Sequence, residues 1–349
     1  MRRTGRYKRD KLMKIAVLGS GTWGIALARV LFLAGHRVFV WSVFPKEVED
    51  LSRERLHPNL PGMTIPDGIV FSADMAETVS GADAVVIATP SFAVRDTAKL
   101  LAEILPEGAV VSSVAKGLEK DTLFTMTEII EDEFKRAGKT APVVALSGPT
   151  HAEEVSKDMP TLITAASSDP EAAVFVQGLF SGTCIRAYTG TDPKGVELCG
   201  ALKNVEALAV GIATGLGYGD NTRAALITRG MAEITRLGVR MGCDKDTFPG
   251  LSGIGDLIVT ATSMHSRNNR AGILIGQGKS PEEAVREVGM VVEGMNALPA
   301  AAVLKEKYGE DMPIVSALYE IVENGADPKE KVTELMERAP RAEHSWKKN

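Results

Sequence analysis

Residues 14–24 read KIAVLGSGTWG, and the order of events within them decides the fold. The aliphatic run Ile15-Ala16-Val17-Leu18 has the character of a buried strand and stops at Gly19. Gly19-Ser20-Gly21-Thr22-Trp23-Gly24 then spells G-x-G-x-x-G, and a helical pattern runs on from about Trp23 to Ala34, with Gly35 placed to end it. Alone the glycine pattern is weak. Between a strand and a helix it is informative. Gly19 permits a tight turn, Gly21 lets a diphosphate approach the backbone, and Gly24 lets helix and strand pack closely. The free N–H groups of the helix N-terminus would then face the anion.

Outward from this turn, strand and helix patterns alternate. Residues 37–42 (RVFVWS), 83–90, 109–114, 142–148 and 161–167 read as further strands, and 93–105 and 123–138 as helices between them. Such alternation implies an α/β, doubly wound, mostly parallel, Rossmann-like sheet. Near residue 190 the pattern changes. Asp192 is a candidate N-cap with Pro193 at the first helical position, and only helical patterns follow. The expected organisation is a disordered basic extension at 1–12, a dinucleotide-binding domain at 13–192 and an all-α domain at 193–349, with a frayed polar tail from about Arg341.

The bulk properties narrow the function. A chain of 349 residues with 44% hydrophobic content can bury a large core. A net charge of −5 argues against a dedicated nucleic-acid binder. Cys184, Cys199 and Cys243 form no CxxC pair, which fits a reducing, cytoplasmic compartment and no zinc site. No apolar run reaches the length of a membrane span, about 18 residues. A homodimer is the expectation from symmetry statistics alone.

The end of the second strand bears on cofactor choice. An acid there would hold a ribose 2′-hydroxyl, but the chain has Ser42-Val43-Phe44-Pro45, with no acid before Glu47. The missing carboxylate removes a repulsion against a 2′-phosphate, so NADP(H) is preferred and NAD(H) also admitted. Lys46 and Arg53 are candidate phosphate partners, with surface charge as the alternative for each.

The candidate chemistry centres on Lys203, an ammonium inside the apolar stretch CGALKNVEALAVG. Its helix face holds Val196, Cys199, Gly200, Ala207 and Val210, with Glu206 as the one charged neighbour. A face of small residues admits a ligand or another backbone. Lys203 is then either a snorkelling lysine, or one paired with Glu206, or a desolvated proton-transfer group. Bringing its pKa down from about 10.4 to about 7–8 means disfavouring the cation by roughly 4 kcal/mol. A second cation, Lys116, follows the strand at 109–114, at the sheet edge where ligands bind. Gly148-Pro149-Thr150-His151-Ala152 reaches the same edge, with His151 read as a surface or packing residue. In the helical half, Asp256 follows the glycine-rich stretch 250–255 and is either an N-cap or a functional acid. Ser266 caps a further helix, where Arg267 and Asn268 offer phosphate donors.

Taken together, GxGTWG, AKGLE, SGPTHAEE, ALKNV, NTRAALITRG, GLSGIGDL, HSRNNRAG and VVEG, in this order, resemble NAD(P)-dependent glycerol-3-phosphate dehydrogenases of the bacterial type, from about Met13 to about residue 325. The resemblance implies interconversion of dihydroxyacetone phosphate and sn-glycerol 3-phosphate, feeding phospholipid synthesis. It implies Lys203 as the proton-transferring residue, with Asp256 and Asn204 orienting it. It implies Lys116 as a contact of both cofactor and substrate. Gly148, Thr150, Asp256, Ser266, Arg267 and Asn268 match substrate contacts. Thr22, Trp23, Ala152, Arg267, Val291 and Glu293 match cofactor contacts. Val43 stands where the family often has a basic residue, which weakens the NADP(H) expectation. A β-hydroxyacid or 6-phosphogluconate dehydrogenase shares the architecture but matches SGPTHAEE and SRNN less well. A cofactor-sensing regulator without turnover would have no use for Lys116, Lys203 and Asp256 together.

Overall fold

The computed structural model describes residues 12–264, 266–340 and 342–343. The basic extension and the polar tail therefore lie outside the described residues, apart from Leu12, Ala342 and Glu343.

Eight strands form one sheet: β1 (Lys14–Leu18), β2 (Arg37–Trp41), β3 (Val70–Ser72), β4 (Ala84–Ile87), β5 (Val110–Ser113), β6 (Val143–Ser147), β7 (Thr161–Ala166) and β8 (Ile185–Gly190). Their order is β3-β2-β1-β4-β5-β6-β7-β8. The strands from β3 across to β6 are all parallel, whereas β7 runs antiparallel to β6 and β8 parallel to β7. The central strands β4, β5 and β6 are buried along their whole length, as a sheet covered on both faces requires. The chain turns from β1 to β2 on one side and returns to β4 on the other. This reversal opens a crevice at the carboxyl ends of β1 and β4.

Each face carries its own apolar layer. On one, Ile25 and Leu31 of the Thr22–Leu33 helix and Phe175 of the Pro170–Leu179 helix pack with Val17, Val40 and Val86. On the other, Leu101 of the Val94–Ile104 helix and Ile130 and Phe134 of the Met126–Arg136 helix pack with Leu18 and Ile87.

After Gly190 the described residues form helices only. Asp192 caps the long helix Pro193–Gly215 by accepting from Gly195 N at 2.9 Å. This helix is buried continuously from Gly195 to Leu208, because neighbours surround it on all sides. Its small-residue face takes a second backbone. A Cβ on Gly211 would lie 2.3 Å from Asn269 O, and one on Gly276 would lie 2.2 Å from Ile212 O. The helix Arg267–Gly276 therefore crosses the long helix at backbone contact, which brings its N-terminus alongside Asn204. Toward the other end, a Cβ on Gly200 would meet Ser147 Oγ at 3.3 Å and Lys116 Cγ at 3.4 Å. The long helix is thus laid directly across the sheet edge.

Candidate active site

The glycine turn divides its labour among three positions. Gly19 has φ +123°, and a Cβ there would stand 2.7 Å from the Ala88 carbonyl. A Cβ on Gly24 would stand 2.2 Å from Gly19 O, so Gly24 serves closure of the turn itself more than helix–strand packing. A Cβ on Gly21 would meet nothing within 4 Å. Neither Gly19 nor Gly24 can carry a side chain without moving backbone, while Gly21 borders open space. Gly21 is also the N-cap of the Thr22–Leu33 helix, with no side chain capping its first N–H groups and no acid in the first turn. Thr89 Oγ1 and Ser147 Oγ, just after β4 and at the end of β6, are buried without a hydrogen-bond partner. Uncapped donors, open space at Gly21 and orphaned hydroxyls along one edge fit a dinucleotide. A cleft lined by Trp23, Leu27, Val114, Lys116, Ser147 and Thr150 joins the turn to Lys116.

Lys203 is linked to Lys116 of this cleft through Asp256. Its Nζ donates to Asp256 Oδ1 at 2.7 Å and to Thr260 Oγ1 at 2.5 Å. Lys116 Nζ donates to the other carboxylate oxygen, Asp256 Oδ2, at 2.6 Å, and to Gly148 O at 3.0 Å and Thr150 Oγ1 at 3.4 Å. Asp256 is 1% exposed and Lys203 5%, so both charges are desolvated and each needs the other. Burial pulls the Lys203 ammonium down to about 8; Asp256 opposes this, and the charges of Lys116 and Arg267 add to it. Burial pushes Asp256 upward, but Lys116 and Lys203 outweigh it and hold the carboxyl below its usual range. The site is therefore a lysine poised near neutrality beside a permanently ionised acid.

Several expectations need correction. Lys203 pairs with Asp256, not Glu206. Glu206 turns instead to the Asp220–Arg240 helix, where a Cβ on Gly230 would meet its Oε2, and its buried carboxyl is pushed well up by burial and then by Glu233. Asn204 does not hydrogen-bond to Lys203. One residue turns a helix by about 100°, and Asn204 instead donates to Gly200 O at 3.1 Å and accepts from Asn268 Nδ2 at 2.8 Å. Asp256 is not an N-cap: Gly255 occupies that position and Asp256 is the first residue of the Asp256–Thr262 helix. His151 is half-buried, which agrees with the packing role expected of it. Burial and then the Lys203 charge hold its imidazole below the usual range, which places it within electrostatic reach of that lysine.

The second wall comes from the helical half. Ser266 caps the Arg267–Gly276 helix, accepting from Asn269 N at 3.2 Å. Arg267 opens that helix, and its charge reaches both Lys203 and Glu293. Asn268 is engaged at both ends of its amide, its Oδ1 accepting from Gly294 N at 2.8 Å. Glu293 heads the helix Glu293–Tyr308 and accepts from Ser91 Oγ at 3.2 Å, just beyond β4. Val291 beside it is 40% exposed, and Val43, at the end of β2, is 60% exposed. Ala152 is buried at the start of Ala152–Val155. Sequence reasoning missed Thr260, Ser91 and Ser147. Only Thr260 left a signal: it stands four residues after Asp256, hence on the same helix face.

A doubly wound sheet with an open glycine turn, roofed by a buried helix that presents a lysine with a lowered pKa, defines a nucleotide-dependent oxidoreductase of two-part build. The comparisons name the family. Residues 14–173 match the model for the NAD-dependent glycerol-3-phosphate dehydrogenase N-terminus, and residues 192–333 match that for its C-terminus. The chain is 58% identical to a glycerol-3-phosphate dehydrogenase (NAD(P)+) 2 of Lactobacillus delbrueckii subsp. bulgaricus, over 95% of this chain and 99% of the relative. It is 48% identical to a glycerol-3-phosphate dehydrogenase (NAD(P)+) of Fusobacterium nucleatum, over 96% of this chain and 100% of the relative. Among solved structures, a glycerol-3-phosphate dehydrogenase of Coxiella burnetii superposes with a TM-score of 0.88 at 34% identity, over 94% of this chain and 99% of that one. The chain belongs to the NAD-dependent glycerol-3-phosphate dehydrogenase family.

Proposed function

We propose that the protein interconverts dihydroxyacetone phosphate and sn-glycerol 3-phosphate, with Lys203 exchanging the proton on the C2 oxygen. The hydride added to or removed from C2 would come from or pass to a bound NAD(H) or NADP(H). The Lys203 ammonium, buried and close to neutrality, gives a proton to the oxygen as the ketone is reduced and takes it back in oxidation. Asp256 holds that ammonium in place from one side, and Lys116, bound to the same carboxylate, offers a cation to the substrate oxygen. Arg267 and the free N–H groups of its helix hold the substrate phosphate. Gly148 and Thr150 border the substrate, while Thr22, Trp23, Ala152, Val291 and Glu293 border the cofactor. The Asn204–Asn268 hydrogen bond ties the Arg267–Gly276 helix to the long helix that carries Lys203.

The observation that carries this reading is the Lys203–Asp256–Lys116 cluster at the sheet edge, reached by the cleft from the glycine turn. A regulator without turnover has no need of it. We divide the chain into a dinucleotide-binding domain at 13–192 and a helical catalytic domain at 193–349. A cytoplasmic homodimer supplying phospholipid synthesis fits the family. Among the described residues no helix is long and apolar enough to cross a membrane. The test is absorbance at 340 nm with dihydroxyacetone phosphate, 3-hydroxyisobutyrate and 6-phosphogluconate as alternative substrate pairs. Turnover with dihydroxyacetone phosphate alone supports the reading; turnover only with either of the others overturns it.

A further inference from the structure

The acid missing from the end of β2 is supplied from elsewhere. Glu47, in the first turn of the Pro45–Glu54 helix, folds back so that its Oε2 accepts from Ser42 Oγ at 2.6 Å and from Ser20 Oγ at 2.7 Å. Ser42 directly follows β2, and Ser20 lies inside the glycine turn. Both serines are 4% exposed, so the carboxylate is fixed between the turn and the strand end. Ser42 Oγ is itself oriented by accepting from Phe44 N at 3.3 Å. Both hydroxyl bonds fall on Oε2, which leaves Oε1 to accept from a ligand. Dinucleotide folds place their ribose-binding acid at this site, about 20 residues beyond the glycine turn.

The surroundings do not neutralise this charge. Arg53, the one arginine of the helix, is engaged by Glu49 at 3.3 Å, Asp50 at 2.8 Å and Glu54 at 3.0 Å. His57 lies behind Ser20, and burial holds its imidazole below the usual range despite Glu47. Lys46 is exposed.

The geometry points to Glu47 as the residue that selects the cofactor: its carboxylate takes a free ribose 2′-hydroxyl and repels a 2′-phosphate, so the protein favours NAD(H) over NADP(H). This rests on the glycine turn binding a dinucleotide, as argued above, and it reverses the expectation drawn from Ser42-Val43-Phe44-Pro45. The acid is absent from the strand in sequence and present at its end in space.

Binding of NADH and NADPH to the full chain, without substrate, followed by isothermal titration calorimetry, tests it. The native protein should bind NADH at least about tenfold more tightly, and Glu47→Gln, whose amide oxygen can still accept from both serines, should bring the two within about threefold by tightening NADPH. The native ratio needs no variant and stands even if Glu47→Gln folds poorly. Equal or tighter NADPH binding by the native protein overturns the proposal, as does an unchanged ratio in Glu47→Gln. A loss of NADPH binding alone in Lys46→Ala, by about tenfold or more, would put a 2′-phosphate on that lysine and also overturn it. Failure to bind either dinucleotide overturns the cofactor reading of the turn itself.

Discussion

Lys203 Nζ and Asp256 Oδ1 meet at 2.7 Å inside the protein, and the second oxygen of the same carboxylate holds Lys116. One buried acid thus serves two lysines. Removing its charge strands both. Asp256→Asn should destabilise the fold by about 3–5 kcal/mol, the cost of breaking a buried pair from one side. It should also lower the Lys203 pKa further, since Asp256 is what raises it against burial. Thermal unfolding at neutral pH checks the first effect, and the pH profile of residual activity checks the second.

That profile has a sign in each direction for the native enzyme. Reduction needs Lys203 protonated, so kcat/KM for dihydroxyacetone phosphate should fall above about pH 8. Oxidation of glycerol 3-phosphate needs it neutral and should rise through the same pH. Lys116→Met removes a cation that lowers the Lys203 pKa and should move both limbs upward. Stability follows by linkage. Folding lowers this lysine from 10.5 to about 8, so the unfolded chain binds more protons between those values. The group costs about 3 kcal/mol below pH 8, and the cost fades as pH rises toward 10.5. Native stability should therefore gain on that of Lys203→Met across this window in denaturant titrations.

The glycine turn separates structural from binding roles by single substitutions. Gly24→Ala places a Cβ 2.2 Å from Gly19 O and should both destabilise the protein and abolish dinucleotide binding. Gly21→Ala meets no protein atom within 4 Å. Its unfolding free energy should stay within about 0.5 kcal/mol of native, while NADH binding weakens by an order of magnitude or more, as calorimetry would register.

Arg267 opens a helix whose first turn carries no acid. Arg267→Lys keeps the charge and loses the fork, so KM for dihydroxyacetone phosphate should rise about tenfold with a smaller change in kcat. An unchanged KM in steady-state assays would move the phosphate site elsewhere.

Most of the sheet could be read from sequence because its strands are aliphatic runs bounded by clear breakers. β3 has only three residues, and β8 alternates buried and exposed positions within a polar segment, so neither stood out. The reversal at β7 left no local trace. Direction is set by the connection, and Ala152–Val155 is the sole helix between β6 and β7. The site was legible where one rule placed a residue: Lys116 by the sheet edge, Ser266 as a cap, Lys203 by its apolar helix. Partners that depend on two distant elements meeting were not. Ser91 with Glu293 and Glu47 with Ser20 are tertiary encounters that no spacing in the chain announces, and Asp256 with Lys203 was expected only through the family resemblance.

Catalysis in this site rests on Lys203 moving the proton. Lys203→Ala, assayed at pH 7 for reduction of dihydroxyacetone phosphate alongside calorimetric NADH binding, tests it most directly. Turnover should fall by about three orders of magnitude or more while the NADH dissociation constant stays near the native value. Near-native turnover with intact cofactor binding would remove Lys203 from the proton transfer.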